Sequence, residues 1–129
     1  MNRAFTNILC TDVAGTAQFY QDLIGMKRTG EFGWFVILSH HDMPGFELGV
    51  LDQDHDTIPA GVSGPAGVSG GPSGVMLTFV VTDVEATYSQ ATAMKVEILQ
   101  EPTDLPYGQR RLLLRDPAGT LVDVSSPIR

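Results

Sequence analysis

The chain has 129 residues, 43% of them hydrophobic and 18% charged, with a formal net charge of -7. That is the size and composition of one folded domain, neither disordered nor membrane-embedded. The acidic balance excludes nucleic acid and anionic membrane surfaces as expected partners, since both demand a basic face.

Arg3 to Cys10 reads as a first strand, and Cys10, the only cysteine, falls in the apolar run Ile8-Leu9-Cys10. A buried, inert thiol is expected there, with no disulfide and no thiolate zinc cluster. Asp12 is placed to cap a helix over about 13–24, in which Val13, Ala17, Tyr20 and Leu23 recur at helical spacing. Gly25 supplies the left-handed stop. Strand-like pieces follow at Arg28–Phe32, Trp34–Leu38 and Phe46–Leu51, separated by Gly33 and by the turn from His40 to Gly45.

The same order then recurs. Val75–Val81 is strand-like, Thr82-Asp83-Val84 caps a helix through about Met94, and extended pieces follow near Val96–Leu99, Arg110–Arg115 and Leu121–Ser125. Asp116-Pro117-Ala118-Gly119 is a turn. Thr11-Asp12-Val13 with Thr16 repeats as Thr82-Asp83-Val84 with Thr87, at an offset of 71 residues that also lays Phe5 on Met76 and Asn7 on Thr78. A duplicated βαβββ module explains this. The expected division is a first module over about 1–57, a flexible Gly/Ser/Pro-rich loop over 58–74 and a second module over about 75–129. No basic-then-apolar leader pattern opens the chain, and no apolar run is long enough to span a membrane, so the expected location is the cytoplasm.

Two stretches carry a family resemblance: Thr11-Asp12-Val13 through Phe19-Tyr20 to Leu23-Ile24-Gly25-Met26, and Tyr107-Gly108-Gln109-Arg110-Arg111 followed by Arg115-Asp116-Pro117-Ala118-Gly119-Thr120-Leu121-Val122-Asp123. Both resemble the glyoxalase/bleomycin-resistance/dioxygenase, or vicinal oxygen chelate, superfamily. The resemblance implies an α+β fold whose two modules form a curved mixed sheet with a concave ligand cup, and it implies a homodimer. It also implies four metal-ligand positions in the enzymes of the family, which fall here on Phe5, Glu47, Met76 and Asp123. Phe has no donor atom, and a thioether suits soft copper rather than Mg, Mn, Fe or Zn. The expectation is therefore no metal and no other cofactor. A divalent metal held by atypical ligands in a lyase or dioxygenase is the alternative, with a metal-free isomerase beside it.

Strand alternation turns Phe5, Asn7, Glu47, Met76, Thr78 and Asp123 to one face, which is apolar with a few polar groups, as small-molecule pockets are. The opposite set, including Phe46, Leu48, Val50, Leu77, Phe79, Val81, Val122 and Val124, is uniformly apolar and belongs under helices. Trp34 or Phe35 is placed to stack on a planar ligand. Tyr107 and Arg110 match a family loop bordering the cup. Arg111 and Arg115 read as partners of surface carboxylates. His40, His41, Asp42 and His55 offer metal donors but read as solvated turn and loop. The expected partner is a small, partly aromatic molecule, neutral or cationic, bound by Phe5, Asn7, Trp34, Glu47, Met76, Thr78, Tyr107, Arg110 and Asp123, with sequestration as one form of that function.

Overall fold

The computed structural model describes residues 1–59 and 75–128. Ten elements run in the predicted order: β1 (Thr6–Cys10), α1 (Val13–Ile24), β2 (Lys27–Glu31), β3 (Phe35–His40), β4 (Met43–Asp52), β5 (Met76–Val80), α2 (Val84–Met94), β6 (Ile98–Asp104), β7 (Gln109–Arg115) and β8 (Leu121–Pro127). They form two four-stranded mixed sheets, ordered β1-β4-β3-β2 and β5-β8-β7-β6, one per βαβββ module. The pair makes a curved, open arrangement rather than a closed barrel. In each sheet the first strand runs parallel to the last, and the other pairings are antiparallel. The expected loop over 58–74 lies, apart from Ile58 and Pro59, outside the described residues.

The helix boundaries follow from their caps. The Asp12 carboxylate accepts from Gly15 N–H at 2.9 Å. That cap requires glycine at 15, because a Cβ there would overlap the Asp12 carboxylate. At the other end Gly25 takes φ +74, and its N–H bonds back to Gln21 C=O. Asp83 caps α2 by accepting from Glu85 N–H.

Three strands are longer than the sequence suggests: β6 runs on to Asp104, β8 to Pro127, and β4 begins early, at Met43. His41 and Asp42 alone make the turn between β3 and β4, so Met43-Pro44-Gly45 extends β4 rather than the loop. Pro44 is tolerated because β1 reaches along β4 only as far as Leu48, leaving this end of β4 a free edge.

The helix-side faces of both sheets supply a single core. Ile8, Cys10, Val36, Leu38, Leu48 and Val50 come from the first sheet, and Leu112, Leu114, Val122 and Val124 from the second. Burial pushes the Cys10 thiol pKa up, which keeps it a poor nucleophile. Across the module boundary Tyr20 of α1 donates its hydroxyl to Asp116 Oδ2 at 2.6 Å. Asp116 Oδ1 in turn accepts from Ala118 and Thr120 N–H at 2.9 and 2.8 Å, holding the β7–β8 turn. Phe79 of β5 packs against Phe46 of β4, edge to face, and against Tyr20.

Replacing Tyr20 by Phe keeps the ring packing and removes the donor from a buried carboxylate. The expected cost is about 1.5–3 kcal/mol of stability in urea denaturation, the range for a hydrogen bond to a charged group. An unchanged midpoint would mean that Asp116 does not depend on this donor.

Candidate functional site

Residues paired across a ladder share a face of the sheet. In the first module Asn7 pairs with Gly49 and Leu9 with Leu51, while Phe35, Ile37 and Ser39 of β3 face Leu51, Gly49 and Glu47. Phe35 therefore lies on the face away from the helices, with Asn7 and Glu47, and Trp34 sits just before the strand. Only glycine fits at 49. A Cβ there would overlap Asn7 Oδ1 and stand 2.9 Å from Phe35 Cε1, so the glycine makes a hollow that the amide and the ring share. Aromatic rings continue outward from this hollow. Phe35 stacks with Phe32 and with Trp34 at 6.1 and 5.8 Å between centroids, and Trp34 lies on His55 at 3.7 Å with planes 8° apart.

Glu47 is not a free carboxylate. Arg3 donates Nε–H to Glu47 Oε2 at 2.7 Å and Nη2–H to Oε1, a two-pronged fork. The same guanidinium lies 5.1 Å from the centre of the Phe5 ring. This pairing holds the Glu47 carboxyl below the usual carboxylate range. Arg3 escaped the sequence reading, although it shares alternation parity with Phe5 and Asn7. A cation two residues from Phe5 on the face that carries Glu47 was the available signal.

In the second module Thr78 pairs with Asp123, and Asp123 also pairs with Leu113 of β7. Asp123 is buried and accepts from Thr78 Oγ1 at 3.2 Å through Oδ2. Its Oδ1 has no partner among the described residues, and the same holds for Gln109 Oε1 and Arg111 Nε. Gln109 and Arg111 stand on the Asp123 face, since Arg111 pairs with Ser125. Burial raises the Asp123 pKa, opposed by the Thr78 hydroxyl and the charge of Arg111.

Arg110 belongs elsewhere. It pairs with Ser126 across β7 and β8, one residue out of phase with Asp123, and its guanidinium is held by Glu85 of α2 at 2.6 Å and by Asp104 at 3.0 Å. Alternation along β7 exchanges the expected roles: Arg111 lies on the Asp123 face, and Arg110 is the one paired with surface carboxylates. Tyr107 is exposed at the tip of the β6–β7 hairpin, beside Gly108 at φ +88. Phe5, just before β1, and Met76, the first residue of β5, are both exposed. His55 stacks on Trp34, away from the His40–His41–Asp42 turn.

The family resemblance sets Glu47 and Asp123 as counterparts on the last strands of the two halves, and the ladders correct this. Thr78 is the repeat of Asn7, so Asp123 stands where the first module has Gly49, and Glu47 lies two residues away from that equivalent rung. The carboxylates share a face type but not a position. A divalent metal at the four family positions does not fit these residues. Phe5 offers no donor and Met76 only a thioether, while Glu47 is engaged by Arg3.

A model of the family "Glyoxalase/Bleomycin resistance protein/Dioxygenase superfamily" matches residues 3–124. No curated protein matches the sequence. Among solved structures, the chain is similar to a glyoxalase/bleomycin resistance protein/dioxygenase family enzyme from Burkholderia phytofirmans PsJN, at TM-score 0.77 and 18% identity over 96% of this chain and 97% of that one. A protein of unknown function from Agrobacterium tumefaciens C58 aligns at TM-score 0.75 and 24% identity, over 99% and 95%. A lactoylglutathione lyase from Agrobacterium tumefaciens aligns at 0.69 and 20%, over 98% and 94%. At such identities these likenesses establish the fold.

The environment of Asp123 gives a pH signature. Its folded pKa is raised, so the folded state keeps the proton to higher pH than the unfolded chain does. Stability is then lost as pH rises from the unfolded carboxylate pKa, about 4, through the folded value. Asp123→Asn removes this loss. In urea denaturation across that window, the variant is expected to gain on the wild type as pH rises. A gain by the wild type instead would mean that the site favours the charged carboxylate.

Proposed function

The chain belongs to the glyoxalase/bleomycin resistance protein/dioxygenase superfamily, and from that premise we propose that it binds a small, planar, partly aromatic molecule on the concave faces of its sheets without a metal ion. The observation that carries this reading is the state of Glu47: its carboxylate is engaged by Arg3, beside a Phe5 that offers no donor. What remains on that face is an apolar and aromatic surface, with Phe35 and Asn7 set in the hollow over Gly49. Burial of apolar area supplies affinity at roughly 25 cal/mol per Å², and ring stacking adds orientation. With Glu47 balanced by Arg3 and Asp123 near Arg111, a neutral ligand fits better than an ion of either sign.

The proposal includes a homodimer in which a second copy helps to enclose the cup. The edge strand β5 leaves Met76 43% and Val80 67% exposed, a large apolar presentation for a chain that stays alone in water. It also places the protein in the cytoplasm. In support, no helix among the described residues is long and apolar enough to cross a membrane, and the sole cysteine is buried and unpaired. One observation favours a second reading. A buried carboxyl with a raised pKa and an unpartnered oxygen, as at Asp123, suits a metal-free proton transfer on the bound molecule.

Trp34 is the only tryptophan, so its fluorescence reports on the site. Titration with matched naphthyl alcohol, naphthyl ammonium and naphthoate, in EDTA, should give saturable quenching strongest for the neutral alcohol. Phe35→Ala should weaken it about tenfold. Quenching that requires added divalent metal, or that ignores Phe35→Ala, contradicts the proposal. Light scattering at micromolar concentration should give the mass of two chains; a single-chain mass contradicts the shared cup.

A further inference from the structure

We propose that the β3–β4 hairpin carries a binding site for a borderline divalent transition-metal ion such as zinc or nickel, built from His40, His41 and Asp42 and distinct from the four family metal positions.

Consecutive residues of a strand send their side chains to opposite faces, so adjacent histidines do not normally converge. Here the register between β3 and β4 shifts between Ser39 and His40. His40 ends β3 and His41 opens the turn, where alternation no longer holds, and the two imidazoles stack with centroids 4.8 Å and planes 16° apart. The two-residue turn then folds Asp42 back onto them. Its Oδ1 stands 3.0 Å from His41 Nε2, and its Oδ2 3.8 Å from His40 Nδ1. One donor atom from each of the three residues lies within 4.8 Å of the others.

Donors sharing a tetrahedral ion at 2.0–2.2 Å stand about 3.3–3.6 Å apart, so the arrangement needs only small rotations of exposed side chains to close. Nδ1 of His40 accepts from Asp42 N–H at 3.1 Å; if the ion takes that nitrogen, water can satisfy the exposed N–H instead.

Two imidazoles and one carboxylate suit zinc, nickel or copper(II), whereas magnesium and calcium prefer all-oxygen sets. Three protein ligands leave a position open for exchange. His40 and Asp42 also line a groove of about 960 Å³ between this hairpin and β5, together with Met26, Phe46 and Val80. An ion on the hairpin therefore sits in the groove wall, with its exchangeable position available to whatever the groove admits.

The test uses full-length protein made without a histidine tag and stripped with EDTA. Zinc chloride, and separately nickel chloride, is titrated by calorimetry, with magnesium chloride as control. The expected result is one saturable equivalent of zinc and no response to magnesium. His41→Ala and Asp42→Asn should each weaken zinc binding by about tenfold or more. Both residues are exposed, so circular dichroism should show an unchanged fold. His55→Ala should bind as the wild type does, because His55 is occupied on Trp34. Absence of saturable zinc binding overturns the proposal, as does binding that survives His41→Ala or is lost in Glu47→Gln. These outcomes are independent of the naphthyl titrations, which are run in EDTA.

Discussion

A buried hydrogen bond between Tyr20 and Asp116 links the two halves of this chain, beside the core that they share. Tyr20 comes from the helix of the first module and Asp116 from the last turn of the second, 96 residues apart. Asp116 spends its other oxygen on two backbone N–H groups of that turn, which fixes how β8 enters its sheet. A buried carboxylate survives only when its lone pairs are satisfied, so the turn, the helix and the sheet must be correct together. The Tyr20 hydroxyl is held as a donor, because burial and the neighbouring carboxylate drive its pKa far above the ordinary tyrosine value. With this bond made, Phe46 and Phe79 meet edge to face, and the helix-side faces of both sheets close over one core.

The opposite faces of the two sheets differ from each other. In the first module the Asn7–Gly49 rung is a hollow filled by an amide and a phenyl ring, with a row of aromatic rings leading away from it. In the second module the equivalent Thr78–Asp123 rung holds a buried carboxyl within reach of the Arg111 charge. Duplication supplied the scaffold twice, and divergence made one face aromatic and the other polar. Such a pair suits a ligand with an aromatic body and a polar end better than it suits a symmetric metal clamp.

Most of the architecture was legible in the sequence because local rules fix it. Asp12, Gly25 and Asp83 mark helix ends through hydrogen bonds and a left-handed turn within a few residues. Period-two alternation sorted Leu48, Val50, Val122 and Val124 under the helices, where they are fully buried. What alternation cannot give is the rung. It assigned Glu47 and Asp123 to one face type, the family resemblance set them as counterparts, and only the ladder separates them by two residues. Arg110 was placed at the cup by its match to a family loop, without its strand phase; the ladder puts it opposite Ser126 and Arg111 opposite Ser125, on the Asp123 face. The Arg3–Glu47 fork joins residues 44 apart and follows from the parallel pairing of β1 with β4. His40 ends β3 and His41 opens the turn, so strand alternation does not govern how the two histidines meet.

The central claim is that the faces bearing Phe35 and Asp123 receive a ligand without a metal. Nuclear magnetic resonance of uniformly 15N-labelled protein in EDTA, titrated with naphthyl alcohol, tests it most directly. The account predicts amide shifts centred on Asn7, Phe35 and Gly49, extending to Thr78 and Asp123 when the cup is closed by a second copy. Shifts confined to Ile24, Phe46 and Thr82 around the hairpin groove, or shifts that appear only when zinc replaces EDTA, would contradict it.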